Sequence, residues 1–397
     1  MSRRAADYGF STGAVNVDMK KVKARKDAIV ATSSHGVESW LREMKNATVF
    51  QDHAQFESAR TVRVGDELLE AEKVFINVGA RAAIPSIPGL AQAGYLTNSA
   101  MMELEVLPSH LVILGGSYVA LEFGQMYRRF GSEVTIIERN ERLLSREDPD
   151  ISEAIRQIFE REGIRVLTSA EIISVEKLGA ETVVKANVEG VPHEVTGSHL
   201  LAALGRVPNT QDLGLDRAGV LRDSKGYIQV DDQLRTSVPG IWALGDANGK
   251  GAFTHTSYND FEIVAANLLD HDPRRVSDRI TAYNVYIDPP LGRAGMNESQ
   301  VRSSGRKALA GTRPMTRVGR AVEKGETQGF MKVLVDAENK LILGASLLGV
   351  ECDEVIHSIL DIMYAKAPYT VIQRAVHIHP TVSELIPTLL GEMKPLD

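Results

Sequence analysis

The chain has 397 residues, 43% of them hydrophobic and 24% charged, with a formal net charge of -7. That length exceeds what a single hydrophobic core fills, so more than one domain is expected, and the acidic balance excludes a general electrostatic hold on nucleic acid. No apolar run is long enough to span a membrane, the start MSRRAADYGF is too polar for a secretory segment, and the lone Cys352 excludes an intrachain disulfide. A cytoplasmic chain with neither membrane nor nucleic-acid partner is therefore predicted.

Apolar residues at helical spacing among many Lys, Arg and Glu predict one long or broken helix over 18–44. Short apolar segments follow, ATVFQDHAQFES, TVRVGDELLEAE and KVFINVGARAAIPSIPG, which predict strands and a hairpin. Gly79 closes the strand at 73–78, and Pro85 and Pro88 open a linker. From Ser109 the pattern becomes a βαβ unit: HLVILGG, SYVALEFGQMYRRFG, SEVTIIERN. Asp148-Pro149-Asp150 starts a second helix, since proline is harmless in a first turn. A continuous strand IRVLTSAEIISVEK, a small antiparallel sheet over 181–200 and LLAALGRVPNT complete this domain near 222. Residues 226–246 predict an extended stretch, a turn at Pro239-Gly240 and a buried strand ending at Gly245-Asp246, before a helix over 258–269. Strand-rich sequence followed by helical DEVIHSILDIMYAKA predicts a separate α+β unit from about 280 onwards.

The chemistry begins at VILGGSYVALE. A pyrophosphate requires a tight turn, a close backbone approach and a helix N-terminus, and Gly115, Gly116, Ser117, Tyr118, Val119 and Ala120 run from strand to helix in that order. Gly115 and Ala120 fit the dinucleotide fingerprint, while Ser117 stands where its middle glycine belongs. The second strand ends at Glu138, whose carboxylate suits the adenosine ribose hydroxyls; this favours NADH over NADPH, and the neighbouring Arg139 blurs the preference.

Several residues have two readings on residue chemistry alone. Asp246 either binds a cofactor or caps the turn after its strand, and His255 either lines a site or serves a turn. Tyr118 either covers the nucleotide pocket or packs at a domain junction. His379 is either a packing residue before Pro380 or an acid–base group steadied by Glu384. No His, Cys, Asp or Glu grouping has metal-ligand spacing, so no metal site is predicted.

Together the Gly115 unit, GRVPN from Gly205, TSVPGIWALGDANG and the tail HIHPTVSE resemble the flavin-dependent pyridine nucleotide–disulfide oxidoreductases. GSYVALE and GAFTHTSYNDFE look most like the mercuric-reductase-like members. The resemblance implies an α/β fold with two Rossmann-like domains and a C-terminal α+β dimerisation domain: FAD-binding residues 1–90 and 223–279, an inserted NAD(P)-binding domain 91–222, and dimerisation residues 280–397. It places Gly79 at the crossing between the nucleotide domains, Gly245 and Asp246 on the flavin ribityl or pyrophosphate, and Glu122 beside the flavin ring. It carries His379 and Glu384 into the active site of the other subunit of a homodimer. The implied activity is hydride transfer from NAD(P)H to FAD and on to an unidentified small redox acceptor.

The family's own N-terminal glycine turn and its CxxxxC redox pair have no counterpart here. The flavin site is therefore expected to be incomplete and Glu122 to lack a basic partner. Strands 73–78 and 241–244 are expected to stand without a neighbour. Either the chain is an incomplete version of a normal enzyme, or it is a natural short protein that binds nicotinamide nucleotide and dimerises without catalysis.

Overall fold

The computed structural model describes residues 2–396. After the short helix Ser2–Tyr8, the long helix runs Met19–Glu43 without a break. Asp18 caps it, its side chain accepting the N–H of Lys21 at 3.2 Å and so satisfying one first-turn donor. Three strands, Ala54–Phe56, Thr61–Val64 and Glu67–Glu70, then form an antiparallel meander. Phe56 joins Ile76, Leu213, Ile228 and Ile241 in a small core beneath it.

Val74–Ile76 pairs in parallel with Ile241–Ala243. Each is the other's neighbour, which corrects the expectation that both stand unpaired. Phe75 stacks on Trp242 with ring centroids 5.2 Å apart, yet stays 47% exposed.

A four-stranded parallel sheet follows, in the order His199–Ala202, His110–Leu114, Glu133–Ile137, Arg165–Leu167. Leu111 to Leu114 are all buried, as a strand covered on both faces must be. Helices Tyr118–Phe130 and Pro149–Arg161 supply Leu121, Tyr127, Ile155 and Phe159 to one core. On the other side Val175, Val184 and Val195, from the antiparallel strands Ala170–Leu178, Glu181–Val188 and Val191–Gly197, pack with Val112 and Leu114.

The segment expected to be one strand across residue 169 is two. Ser169 has φ +50°, and this left-handed residue turns the chain from the parallel sheet into the antiparallel one. The helix expected over 258–269 begins earlier, as Thr254–Ala265, because Thr256 Oγ1 accepts the N–H of Phe253 at 3.0 Å and donates to its carbonyl at 2.7 Å. Two isolated antiparallel bridges, Arg222 to Ile228 and Arg235 to Trp242, are the pairings found among the described residues of the stretch expected to be extended.

The C-terminal domain is a six-stranded antiparallel sheet: Ala282–Val285, Leu291–Gly295, Ile342–Leu348, Phe330–Asp336, Ala308–Pro314, Lys394–Pro395. Helix Cys352–Tyr364 closes it with Val355, Ile356 and Ile359. The Cys352 thiol is fully buried, and burial pushes its pKa up, away from the thiolate that thiol chemistry needs. Among the described residues no helix is long and apolar enough to cross a membrane.

Candidate nucleotide site at the domain junction

Gly115 ends the strand His110–Leu114 with φ +105°, a conformation other residues adopt only under strain. A Cβ there would lie 2.3 Å from the Ala203 carbonyl, so the turn is built against the next strand of the sheet. At Gly116 a Cβ would lie 2.8 Å from Leu143 and 2.9 Å from Glu138, which leaves no room for a side chain. Ser117 is the N-cap of helix Tyr118–Phe130 and makes no side-chain cap bond. The first-turn N–H groups therefore point out of a 13-residue helix with its positive end at the glycine turn, the arrangement a pyrophosphate requires. Ala120 is buried beneath it. The residues present fit a dinucleotide.

Glu138 is turned inward. It is 6% exposed; Oε2 accepts the N–H of Gly116, and Oε1 accepts the N–H of Asn140 at 2.7 Å. The carboxylate thus props the turn from inside rather than standing free for a ribose. Beside it Arg139 is exposed, with no ion-pair partner found among the described residues. Leu143 and Leu144 close over the same turn, Leu144 N–H donating to the Gly116 carbonyl at 2.9 Å.

A cleft of about 660 Å³ opens beside the helix start. Tyr118, Val119 and Glu122 line one side; Gly79, Arg206 and Asp246 line the other. Arg206 donates to the Ala80 carbonyl at 2.6 Å and lies 3.3 Å from Asp246 Oδ2, fixing the acid at the cleft wall. Gly205, just before it, has φ +118°, and its carbonyl accepts the N–H of Ala83 at 2.9 Å. Glu122 accepts the N–H of Tyr286 at 2.9 Å and has no cation beside it among the described residues; burial raises its pKa.

Gly245 is locked from behind by Asp260, a buried carboxylate that accepts the N–H of Gly245 at 2.8 Å and the Nδ2 of Asn248 at 2.9 Å and pairs with Arg279. His255 is exposed, stacks on Phe253 at 5.4 Å, and shares a hydrogen bond with the Ala282 carbonyl at 2.9 Å. It pins the helix start to the C-terminal sheet and does not line the cleft. His379 and Glu384 do pair, Nδ1 lying 3.0 Å from Oε2, with the histidine side chain 78% exposed and the glutamate 13%. Neither lines the cleft of its own chain.

Residues 10–260 match the family model described as pyridine nucleotide-disulphide oxidoreductase, and residues 281–390 match the dimerisation domain of the same family. The chain belongs to the pyridine nucleotide-disulphide oxidoreductases. It is 36% identical over 360 residues to a probable pyridine nucleotide-disulfide oxidoreductase, RclA, of Escherichia coli strain K12, covering 89% of this chain and 81% of that one. It is 30% identical to a mercuric reductase of Staphylococcus aureus, covering 88% of this chain but 64% of that longer protein. The solved structure of a Cu(II) complex of the HOCl-induced flavoprotein disulfide reductase RclA from Escherichia coli superposes with a TM-score of 0.89 at 34% identity, covering 95% and 87% of the two chains. Membership accounts for the alliance of a glycine-turn domain with a dimerisation domain, although this chain holds one cysteine and so no internal redox pair.

The cleft wall facing helix Tyr118–Phe130 fits a flavin ring end: Gly79 and Asp246 leave backbone and one fixed carboxylate facing Tyr118 and Glu122. The far end fits less well. Among the described residues neither Val74–Ile76 nor Ile241–Ala243 runs into a glycine-turn α-helix able to cradle a second pyrophosphate.

Sequence reasoning passed over Arg206, Phe253, Asp260, Leu143 and Leu144. Arg206 stands next to Gly205 in GRVPN and could have been singled out there; the others carry no local signal. One acidic trio with metal-like convergence exists among the described residues, Asp148, Asp150 and Glu298, and the Lys332 ammonium already pairs with all three.

Proposed function

We propose that the chain is an NAD(P)H-dependent flavin oxidoreductase, with the nicotinamide nucleotide anchored at Gly115–Gly116 and its ring directed into the cleft between Glu122 and Asp246. Gly79 and Asp246 would hold FAD, which would supply the hydride acceptor and the electron relay to a small acceptor. The protein's part is alignment: a first-turn helix dipole for the pyrophosphate, Tyr118 and Val119 for the nicotinamide side, Gly79 and Asp246 for the flavin side. The observation carrying this reading is that these walls, far apart in sequence, meet in one cleft. NADH is the preferred nucleotide, because the Glu138 charge beside the turn opposes a 2′-phosphate.

We place the functional unit as a homodimer through the C-terminal domain. In it the His379–Glu384 pair, whose histidine is exposed in one chain, serves the partner's cleft as proton donor and orienter. The working divisions are 1–90 with 223–279, 91–222 and 280–397, in a cytoplasmic protein.

A second reading, a dimer that binds nicotinamide nucleotide without turnover, is favoured by the single cysteine of the chain, which is buried. Purified protein separates the two. Absorbance near 450 nm, flavin released on denaturation and NADH-dependent reduction of a dye or quinone are expected of the oxidoreductase. Colourless protein that binds NADH without any turnover overturns it in favour of the second.

A further inference from the structure

The nucleotide turn is held by a loop whose far end is buried in another domain. Leu144 N–H bonds the Gly116 carbonyl at 2.9 Å, and Glu147 N–H bonds the Leu144 carbonyl at 2.7 Å. The Glu147 carboxylate then enters the C-terminal domain, where Oε1 accepts the hydroxyl of Tyr283 and Oε2 lies 3.4 Å from Arg293 Nε. Both Glu147 and Arg293 are nearly fully buried.

Tyr283 has a second contact. Its ring stacks on Phe253 at 5.6 Å with planes 17° apart, and Phe253 in turn packs against Tyr118 at 5.7 Å. Tyr118 is the first residue of the helix at the glycine turn and lines the cleft. One side chain of the C-terminal domain therefore reaches the nucleotide site by two routes: through its hydroxyl to the loop over the turn, and through its ring to the cleft wall.

We propose that Tyr283 is a positioning residue for the nicotinamide nucleotide, bracing from the C-terminal domain both the loop that closes on Gly116 and the aromatic wall formed by Phe253 and Tyr118. The inference rests on the nucleotide reading of the glycine turn. It couples nucleotide binding to the seating of the C-terminal domain, which the cleft residues by themselves do not do. A buried hydroxyl–carboxylate contact suits this role, since rotating Glu147 away would strand both it and Arg293.

The test compares Tyr283→Phe, which removes the hydroxyl and keeps the stack, with Tyr283→Leu, which removes both. Calorimetric titration with NADH is expected to show affinity weakened by about tenfold in the first and further in the second. Hydrogen exchange at the Leu144 amide, which needs no nucleotide, is expected to accelerate in both. Ile359→Val, a core truncation in the same domain, should lower the melting temperature while leaving affinity and Leu144 exchange as in the wild type. Wild-type affinity and wild-type Leu144 protection in Tyr283→Phe and Tyr283→Leu overturn the proposal. If the wild-type protein takes up neither NADH nor NADPH, the nucleotide reading falls separately, and the exchange at Leu144 decides whether Tyr283 braces the loop.

Discussion

The carboxylate of Glu138 accepts the backbone N–H of Gly116, so the acid that follows strand Glu133–Ile137 and the second glycine of the strand-to-helix turn are held together within the fold. The same carboxylate also accepts the Asn140 N–H. Its charge therefore lies against the turn, and its hydrogen bonds set the turn's shape. Glu138→Gln keeps one acceptor oxygen and removes the charge. The ratio of NADH to NADPH affinity should then move toward NADPH by on the order of tenfold, measured by titration with each nucleotide. An unchanged ratio would mean that the charge does not set the preference.

Gly115 tests the turn itself. With φ +105° and the Ala203 carbonyl 2.3 Å from a built Cβ, Gly115→Ala is strained by backbone and contact together. A loss of roughly 2–4 kcal/mol of folding stability is expected by urea unfolding, with nucleotide binding reduced beyond detection. Gly79 has φ +67° with open space around its Cβ position, so Gly79→Ala should lose only about 1 kcal/mol.

Glu122 carries the pH dependence. Burial raises its carboxyl above the ordinary range, and the Tyr286 N–H offsets only part of that rise. A carboxyl raised in the folded state holds its proton more tightly there than in the unfolded chain. Its stabilising contribution is complete below the unfolded value and is lost as pH rises through the folded one. Glu122→Gln retains an acceptor for Tyr286 and cannot ionise. Its melting temperature should exceed the wild type's at about pH 8 and match it near about pH 4. Equal melting temperatures at both pH values would show that burial of this group costs nothing.

What could be read beforehand was local. The glycine turn, the helix starting at Pro149 and the His379–Glu384 pair are each written within a few residues, where spacing and residue type speak directly. The inward turn of Glu138 was not legible, because an acid at a strand end is equally able to face a ribose or a backbone N–H. The break at Ser169 was hidden by β-rich sequence on both sides. Nor could Glu147 be matched to Tyr283, which lies 136 residues away; only the folded chain brings the two into one contact.

Lys332 provides the sharpest energetic test of how the nucleotide domain is fastened to the C-terminal domain. Its buried ammonium lies 2.9 Å from Asp148, 2.8 Å from Asp150 and 2.7 Å from Glu298. Burial alone would lower its pKa, yet the hydrogen bonds it donates to the carboxylates outweigh burial and hold it above the ordinary lysine value. Such a cation stays charged across the neutral range and loses its stabilising effect only in strong alkali. In Lys332→Met the Asp148 carboxylate, buried with one oxygen bonded to the Glu298 N–H at 2.9 Å, is left without its counter-charge. Stranding a buried charge costs about 3–5 kcal/mol, far more than a surface pair is worth. The deficit should appear in urea unfolding at neutral pH. A deficit below about 1 kcal/mol would place Lys332 among ordinary surface pairs rather than at the fastening between the domains.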